Sequence, residues 1–290
     1  MPDKTLKSGA LRARDAAREA AKELAESGVL EPDASAEILL SELLDVRRGE
    51  LSFQDVSGED LRVYSSYISR RKDREPVQRI LGYAYFRNVK LDLGEHALIP
   101  RPDTESVVEV ALERVDERGC PCRVLDVGTG SGAIALSIAQ ERRTCEVHAS
   151  DVSEDALRVA KRNAEENGVS VEFHVADIVG GLENLAGSVD LLVSNPPYIK
   201  SGDLRSLEPE VRDHDPLLAL DGGPDGLDFY RRIFAEAPPI LKHGADIVLE
   251  IGDGQSEDVM ELGSSAGFVP LGVRDDLAGT PRSVLMRWEG

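Results

Sequence analysis

The sequence predicts an α/β protein: a mostly parallel sheet wrapped by helices, preceded by a small helical domain. Three observations carry this. From residue 123 onward, short apolar runs alternate with stretches of helical composition, the pattern of parallel strands joined by helical crossovers. One junction, V-L-D-V-G-T-G-S-G-A-I-A-L-S-I-A at 124–139, reads strand, glycine loop, helix. Residues 5–75 instead carry helix formers without strand alternation.

Taken in order, A-L-R-A-R-D-A-A-R-E-A-A-K-E-L-A is rich in strong helix formers and stops near Gly28. Asp33 or Ser35 can cap a second helix with Ile38, Leu39, Leu43 and Leu44 on its apolar face. Ser57-Gly58-Glu59-Asp60 resembles a capping box ahead of Leu61, Tyr64, Tyr67 and Ile68. The run R-R-K-D-R at 70–74 reads as a solvated helix end. Val89-Lys90-Leu91-Asp92-Leu93 alternates strictly and, with Tyr83 to Arg87, predicts a hairpin. Prolines 100 and 102 enforce an extended segment before a helix beginning near Asp103 or Thr104. Seven strands are expected at 123–127, 146–150, 171–175, 189–193, 246–251, 269–273 and 283–288, the last two pairing antiparallel at one edge.

The chain has 290 residues, 41% of them hydrophobic, enough for a large domain plus a small one. The start, M-P-D-K-T-L-K-S-G-A, has no apolar core of a secretory signal, and no apolar run suggests a membrane span. A cytoplasmic protein is expected. Net charge is −20; residues 1–80 hold 14 basic against 16 acidic side chains, and the remainder 20 against 38. So acidic a domain repels a phosphate backbone, which argues against a stable nucleic-acid complex. Only 8 of the 34 basic residues are lysine, so the acidity also suits a high-salt habitat. Cys120, Cys122 and Cys145 are odd in number and read as reduced thiols. The five histidines are scattered at no ligand spacing, and no metal is expected.

Gly128, Gly130 and Gly132 let the loop turn tightly and approach a ligand, with Thr129 and Ser131 between them, and the loop feeds a helix N-terminus. The spacing is G-x-G-x-G rather than the dinucleotide G-x-G-x-x-G, and Asp126 precedes it. Asp151, ending the next strand, can accept from both hydroxyls of a ribose. After the third strand, Asp177 can accept from an adenine amino group and Ile178 can cover the ring. Three carboxylates at successive strand ends favour an adenosine-bearing ligand.

Ser194-Asn195-Pro196-Pro197-Tyr198-Ile199 follows the apolar run V-D-L-L-V. Each proline fixes its own φ and pushes its predecessor out of the helical region, so the segment is stiff and lacks two N–H donors. The Asn195 side-chain oxygen and the Pro196 carbonyl can then hold both hydrogens of a substrate –NH₂ and aim its lone pair at an electrophile. Tyr198 can pack on a planar group and attract a positive centre. For an amide nitrogen such orientation matters most, because its lone pair is delocalised. No Ser/His/Asp order or metal cluster offers a rival chemistry.

With these stretches placed, the chain resembles class I S-adenosylmethionine-dependent methyltransferases, and within them the HemK/PrmC family of N5-glutamine methyltransferases of peptide chain release factors. The likeness runs nearly end to end. It is carried by D-A-S-A-E-I-L-L (33–40), R-E-P-V-Q-R-I-L-G (74–82), L-I-P-R-P-D-T-E (98–105), the glycine loop, S-N-P-P-Y-I (194–199), D-P-L-L-A-L-D-G-G-P-D-G-L-D-F-Y-R (215–231) and L-E-I-G-D-G-Q (249–255). The resemblance implies a five-helix substrate-recognition domain at 1–80, a β-hairpin linker at 81–97 and a doubly wound, seven-stranded catalytic domain at 98–290. It implies methyl transfer from S-adenosylmethionine, leaving S-adenosylhomocysteine. The implied acceptor is the glutamine of a Gly-Gly-Gln loop in class I release factors, a modification that modulates translation termination. Gly128 to Gly132, Asp151 and Ile178 fall on cofactor positions, Asp177 and Asn195 beside them, and Asn195, Pro196, Pro197 and Tyr198 on glutamine-binding positions. The chain departs from the family near Tyr85 and Asn88, where an acidic residue and often a glycine are usual. A monomer is expected. Two other readings stand beside this one: the same chemistry on an exocyclic amine of DNA or RNA, and a non-catalytic adenosine-ligand module.

Overall fold

The computed structural model describes residues 11–94, 97–119 and 121–290. The leader reading of residues 1–10, and Cys120, fall outside these. The chain divides between Gly82 and Tyr83 into two compact units.

The first unit pairs two short strands, β1 (Leu11–Arg12) and β2 (Asp55–Val56), and carries α1 (Ala13–Glu26), α2 (Pro32–Leu43), α3 (Gly58–Lys72) and α4 (Val77–Leu81). Its core is a stripe of α1 alanines facing Leu39, Leu40, Tyr64 and Ile68. Small side chains on α1 let α2 approach closely. Two local expectations change. Neither Asp33 nor Ser35 caps α2: Pro32 occupies its first turn behind a left-handed Glu31 at φ 51°, because proline's fixed φ and missing N–H suit that position. Ser57 does cap α3, accepting from the Asp60 N–H at 3.1 Å. The basic run at 70–74 is a helix end solvated at Arg70, Lys72 and Asp73, with Arg71 as the exception. Arg71 is buried and reaches Ser35 Oγ and the Glu75 carbonyl, Arg70 pairs with Glu75 at 2.5 Å, and Lys72 with Glu23 at 3.2 Å.

The second unit opens with a hairpin, β3 (Tyr83–Phe86) and β4 (Val89–Asp92). It continues through α5 (Thr104–Arg118), β5 (Arg123–Val127), α6 (Ala133–Glu141), β6 (Glu146–Asp151), α7 (Glu154–Asn167) and β7 (Glu172–Val175). Then come β8 (Val189–Ser194), α8 (Pro209–Arg212), α9 (Asp228–Glu236), β9 (Leu241–Glu250), α10 (Ser256–Ser265), β10 (Phe268–Asp275) and β11 (Pro281–Trp288). The seven-stranded sheet runs β10-β11-β9-β8-β5-β6-β7. β5 pairs in parallel with both β6 and β8, and β11 is antiparallel to β9 and β10. Strand order therefore reverses at β5, and a crevice opens at the carboxyl ends of β5 and β8. β9 begins five residues earlier than its apolar run, at Leu241, which pairs with Val189 across an irregular register.

One apolar layer packs the hairpin, α5 and α6 on the sheet, and the other packs α9 and the 176–185 segment on the opposite face. The hairpin's turn is held by Arg87, left-handed at φ 49°, whose guanidinium pairs with Glu141 at 2.7 Å. Tyr85, the site of the family departure, is mostly exposed.

The histidines are not all scattered. On β6 and β7, His148 Nδ1 and His174 Nε2 lie 3.0 Å apart, so one ring donates and the other accepts, and Glu172 places its carboxylate within 4.8 Å of both. Positions 26 apart meet because adjacent parallel strands bring them into register, which linear spacing does not reveal.

Asp246 on β9, wholly buried, gathers Arg114 and Arg118 of α5 and Arg287 of β11 at 2.8–2.9 Å. Burial alone raises its pKa, but Arg287, Arg114 and Arg118 together hold it below the usual carboxylate range. Its contribution is therefore present above the unfolded carboxyl pKa and lost as pH falls through the folded one. Asp246→Ala leaves three arginines without their shared partner and should cost about 3–5 kcal/mol in denaturant unfolding at neutral pH, with a smaller deficit in acid.

Candidate active site

The crevice above β5 and β8 is a cleft of about 270 Å³, near the small end of ligand sites. Gly128, Gly130, Asp151, Asp177, Ile178, Asn195, Pro196 and Pro197 all line it. Sequence positions from 128 to 197 meet because the parallel strands β8, β5, β6 and β7 end at one edge of the sheet.

The loop after β5 is built by its own hydrogen bonds. Gly128 and Thr129 donate to the Ser150 carbonyl at 2.8 and 2.9 Å. Gly128 and Gly130 have φ of 72° and 57°, and a Cβ at either would meet nothing within 4 Å, so these backbones border open space. Thr129, Ser131 and Gly132 do not line the cleft. Thr129 donates its hydroxyl to Asp126 at 2.6 Å, Ser131 accepts from Asn163, and Gly132 starts α6. These three shape the loop. Asn163, buried on α7, also pairs with both backbone groups of Asp92 and so ties the hairpin to the loop.

Asp151 accepts from the Gly130 N–H and the Ser153 N–H, one to each oxygen at 2.9 Å. A carboxylate has about four acceptor sites, so it retains capacity for a ligand's hydroxyls. Asp177 receives Arg232 at 2.9 Å. Ile178 is left-handed at φ 56° and buried. A β-branched residue rarely adopts this conformation, and such strain gathers at binding sites. Phe229 and Ile233 of α9 add apolar lining that sequence reasoning missed, although their spacing places them on one helix face.

Asn195 directly follows β8, with its amide nitrogen 3.2 Å from Thr104 Oγ. The segment after it is gripped by the 220–226 stretch. Ile199 donates its N–H to the Leu220 carbonyl and accepts at its own carbonyl from the Gly222 N–H, and a Cβ on Gly222 would lie 2.8 Å from both the Pro197 carbonyl and Tyr198 Cα. Only glycine permits that approach. Gln255 Nε2 donates to the Tyr198 carbonyl at 3.0 Å. The D-G-G-P-D-G-L and L-E-I-G-D-G-Q motifs are thus the packing partners of the proline segment. Tyr198 turns away from the cleft: its ring lies against Gly252, its hydroxyl 3.4 Å from Glu250. Burial, then the Glu250 charge, push its phenol well above its ordinary pKa.

The cleft mouth is closed on one side by Pro216, Leu218 and Ala219. Asp215, buried, pairs with Arg101 at 2.5 Å, which fastens this lip to the L-I-P-R-P-D-T-E segment.

A seven-stranded sheet of this order, with a glycine loop at its switch point and an Asn-Pro-Pro-Tyr segment on the neighbouring strand, defines a methyltransferase. The family model described as the methyltransferase small domain matches residues 102–208, and that of the PrmC N-terminal domain matches residues 15–82. The chain is 41% identical to a release factor glutamine methyltransferase of Rhodospirillum rubrum, over 90% of this chain and 80% of that one. It is 41% identical to that of Streptomyces coelicolor, over 93% and 95%, and 35% identical to that of Bacillus cereus, over 96% and 100%. The chain belongs to the release factor glutamine methyltransferase family.

Asp126 beneath the loop is buried with one oxygen unpartnered. Burial raises its pKa to about 7, against the lowering effect of Thr129 and Ala135. A carboxyl raised in the folded state gives stability that is full below its unfolded pKa and lost as pH rises through the folded value. Asp126→Asn should therefore flatten the decline of unfolding midpoints between about pH 4 and about pH 8; curves parallel to wild type would contradict this assignment.

Proposed function

We infer that this chain transfers a methyl group from S-adenosylmethionine to the side-chain amide N5 of the glutamine in the Gly-Gly-Gln motif of class I release factors. The observation that carries the reading is the placement of Asn195 and Pro196 on the cleft wall beside the glycine loop. The open-faced glycines 128 and 130, Asp151, Asp177 and the apolar cover of Ile178 fit an adenosine-bearing cofactor. S-adenosylmethionine supplies the electrophilic methyl when bound. The Asn195 side-chain oxygen and the Pro196 carbonyl hold the two amide hydrogens of the glutamine and leave its lone pair facing that methyl. As the N–C bond forms and the S–C bond breaks, the nitrogen becomes strongly acidic and gives a proton to water, so no strong base is needed. Proximity and orientation of this kind contribute up to about 7–11 kcal/mol. Tyr198 acts by packing, since its hydroxyl is committed to Glu250.

The helical unit, expected at 1–80, is the release-factor recognition domain, the linker expected at 81–97, which contains the Tyr83–Asp92 hairpin, leads to the catalytic domain expected at 98–290, and the enzyme works in the cytoplasm as a monomer. No helix among the described residues is long and apolar enough to cross a membrane. Methylation of an exocyclic amine in nucleic acid is disfavoured by the acidity of the second unit.

Incubation of the enzyme with S-adenosylmethionine and a purified class I release factor should add 14 Da (one methylene) to the Gly-Gly-Gln peptide by mass spectrometry. Methyl label confined to added nucleic acid would overturn the reading. Asn195→Ala should lower kcat by about a hundredfold or more while leaving cofactor affinity within about twofold.

A further inference from the structure

Glu250, at the end of β9, is a costly residue to bury. Its side chain is 1% exposed, and its Oε2 has no hydrogen-bond partner. An orphaned buried carboxylate oxygen calls for an explanation beyond packing. The other oxygen receives the Tyr198 hydroxyl at 3.4 Å, and the Thr104 hydroxyl lies close enough to this carboxylate to favour its charged form. Thr104, 3% exposed at the start of α5, stands between Glu250 and Asn195 and lies 3.2 Å from the Asn195 amide nitrogen.

We propose that Glu250 and Thr104 are positioning residues that fix which way the Asn195 carboxamide faces. A hydroxyl has one hydrogen to give, and an ionised carboxylate can only accept. Thr104 therefore spends its hydrogen on Glu250, and its oxygen is left as an acceptor. Asn195 must then turn its NH₂ toward Thr104, which aims its Oδ1 the other way, as an acceptor for the substrate amide. Protonated Glu250 can donate to Thr104 instead; the Thr104 hydrogen is then free for an oxygen, and the opposite amide orientation becomes equally satisfied. The carboxylate thus sets the polarity of a two-bond relay. This deepens the reading of Asn195 given above and rests on it.

The surroundings suit a carboxyl that titrates in the working range. Burial, the largest effect, raises Glu250 to about 7, against the Thr104 hydrogen bond and the charge of Arg282. Asp103 opposes Arg282, Tyr198 faces the carboxylate from the proline segment, and the Tyr230 hydroxyl of α9 is spent on the Glu250 carbonyl at 2.8 Å. Arg282 is itself shared with Asp276 and Asp103 at 3.0 and 3.3 Å. The raised pKa means the competent, ionised form is lost as pH falls through it.

The test compares kcat, cofactor Kd and the pH profile of kcat for wild type, Glu250→Gln, Thr104→Val and Thr104→Ser, with Asn195→Ala alongside. Thr104→Val keeps the shape but removes the relay, and kcat should drop by about ten- to a hundredfold with cofactor Kd within about twofold. Thr104→Ser restores the hydroxyl and should stay within about threefold of wild type. Wild-type kcat should fall in an acidic limb below about pH 7, and Glu250→Gln should lose that limb; Asp126, whose pKa burial also raises to about 7, is present in both proteins, so the difference reports Glu250. If Glu250→Gln does not fold, the valine–serine comparison still decides. Wild-type kcat in Thr104→Val, or an unchanged acidic limb in Glu250→Gln, overturns the relay. If Asn195→Ala also turns over normally, the substrate-amide reading itself falls; if Asn195→Ala is inactive while the relay variants are normal, only the relay does.

Discussion

The site depends on a backbone that cannot adjust. Pro196 and Pro197 remove two N–H donors and two rotatable φ angles from the chain leaving β8, and the oxygens that remain have fixed directions only because a second backbone lies directly on them. Gly222 makes that contact, with no room for a Cβ between it and Tyr198. Gln255 closes the other side by donating to both the Tyr198 and Gly226 carbonyls. Stiffness intrinsic to proline sets the local shape, and packing against glycine sets its place above the sheet.

The same economy shapes the neighbouring loop. Positive φ at Gly128 and Gly130 exposes backbone to the cleft, while Thr129 and Ser131 look inward to Asp126 and Asn163. A loop residue is thus either wall or support. The buried carboxyls Asp126 and Glu250 each hold one loop, through Thr129 and Tyr198, and burial raises both pKa values, so each contributes stability that is lost as pH rises.

Much of this was legible in the sequence because it rests on local signals. Alternation of apolar runs and helical stretches located all seven strands of the sheet, and the antiparallel edge pair followed from the short link between the last two. The cleft residues 128, 130, 151, 177, 178 and 195–197 were readable because each sits at a strand's carboxyl end, where parallel topology collects side chains. What escaped was non-local. Thr104 and Glu250 are separated by 146 positions and meet only through α5 lying against β9. The His148–His174 contact needs the β6–β7 register, and the burial of Arg71 needs the α2–α3 packing that brings Ser35 to it. Tyr198 was expected to face a planar ligand, but its ring turns toward Gly252 because Glu250 offers its hydroxyl an acceptor there.

The most direct measurement is a crystal structure of the enzyme with S-adenosylhomocysteine and a peptide carrying Gly-Gly-Gln. The account places the glutamine amide nitrogen within about 3.2 Å of both Asn195 Oδ1 and the Pro196 carbonyl oxygen, facing the sulfur. A bound glutamine whose amide nitrogen touches neither oxygen, or an Asn195 that presents its NH₂ to the cleft, would contradict it.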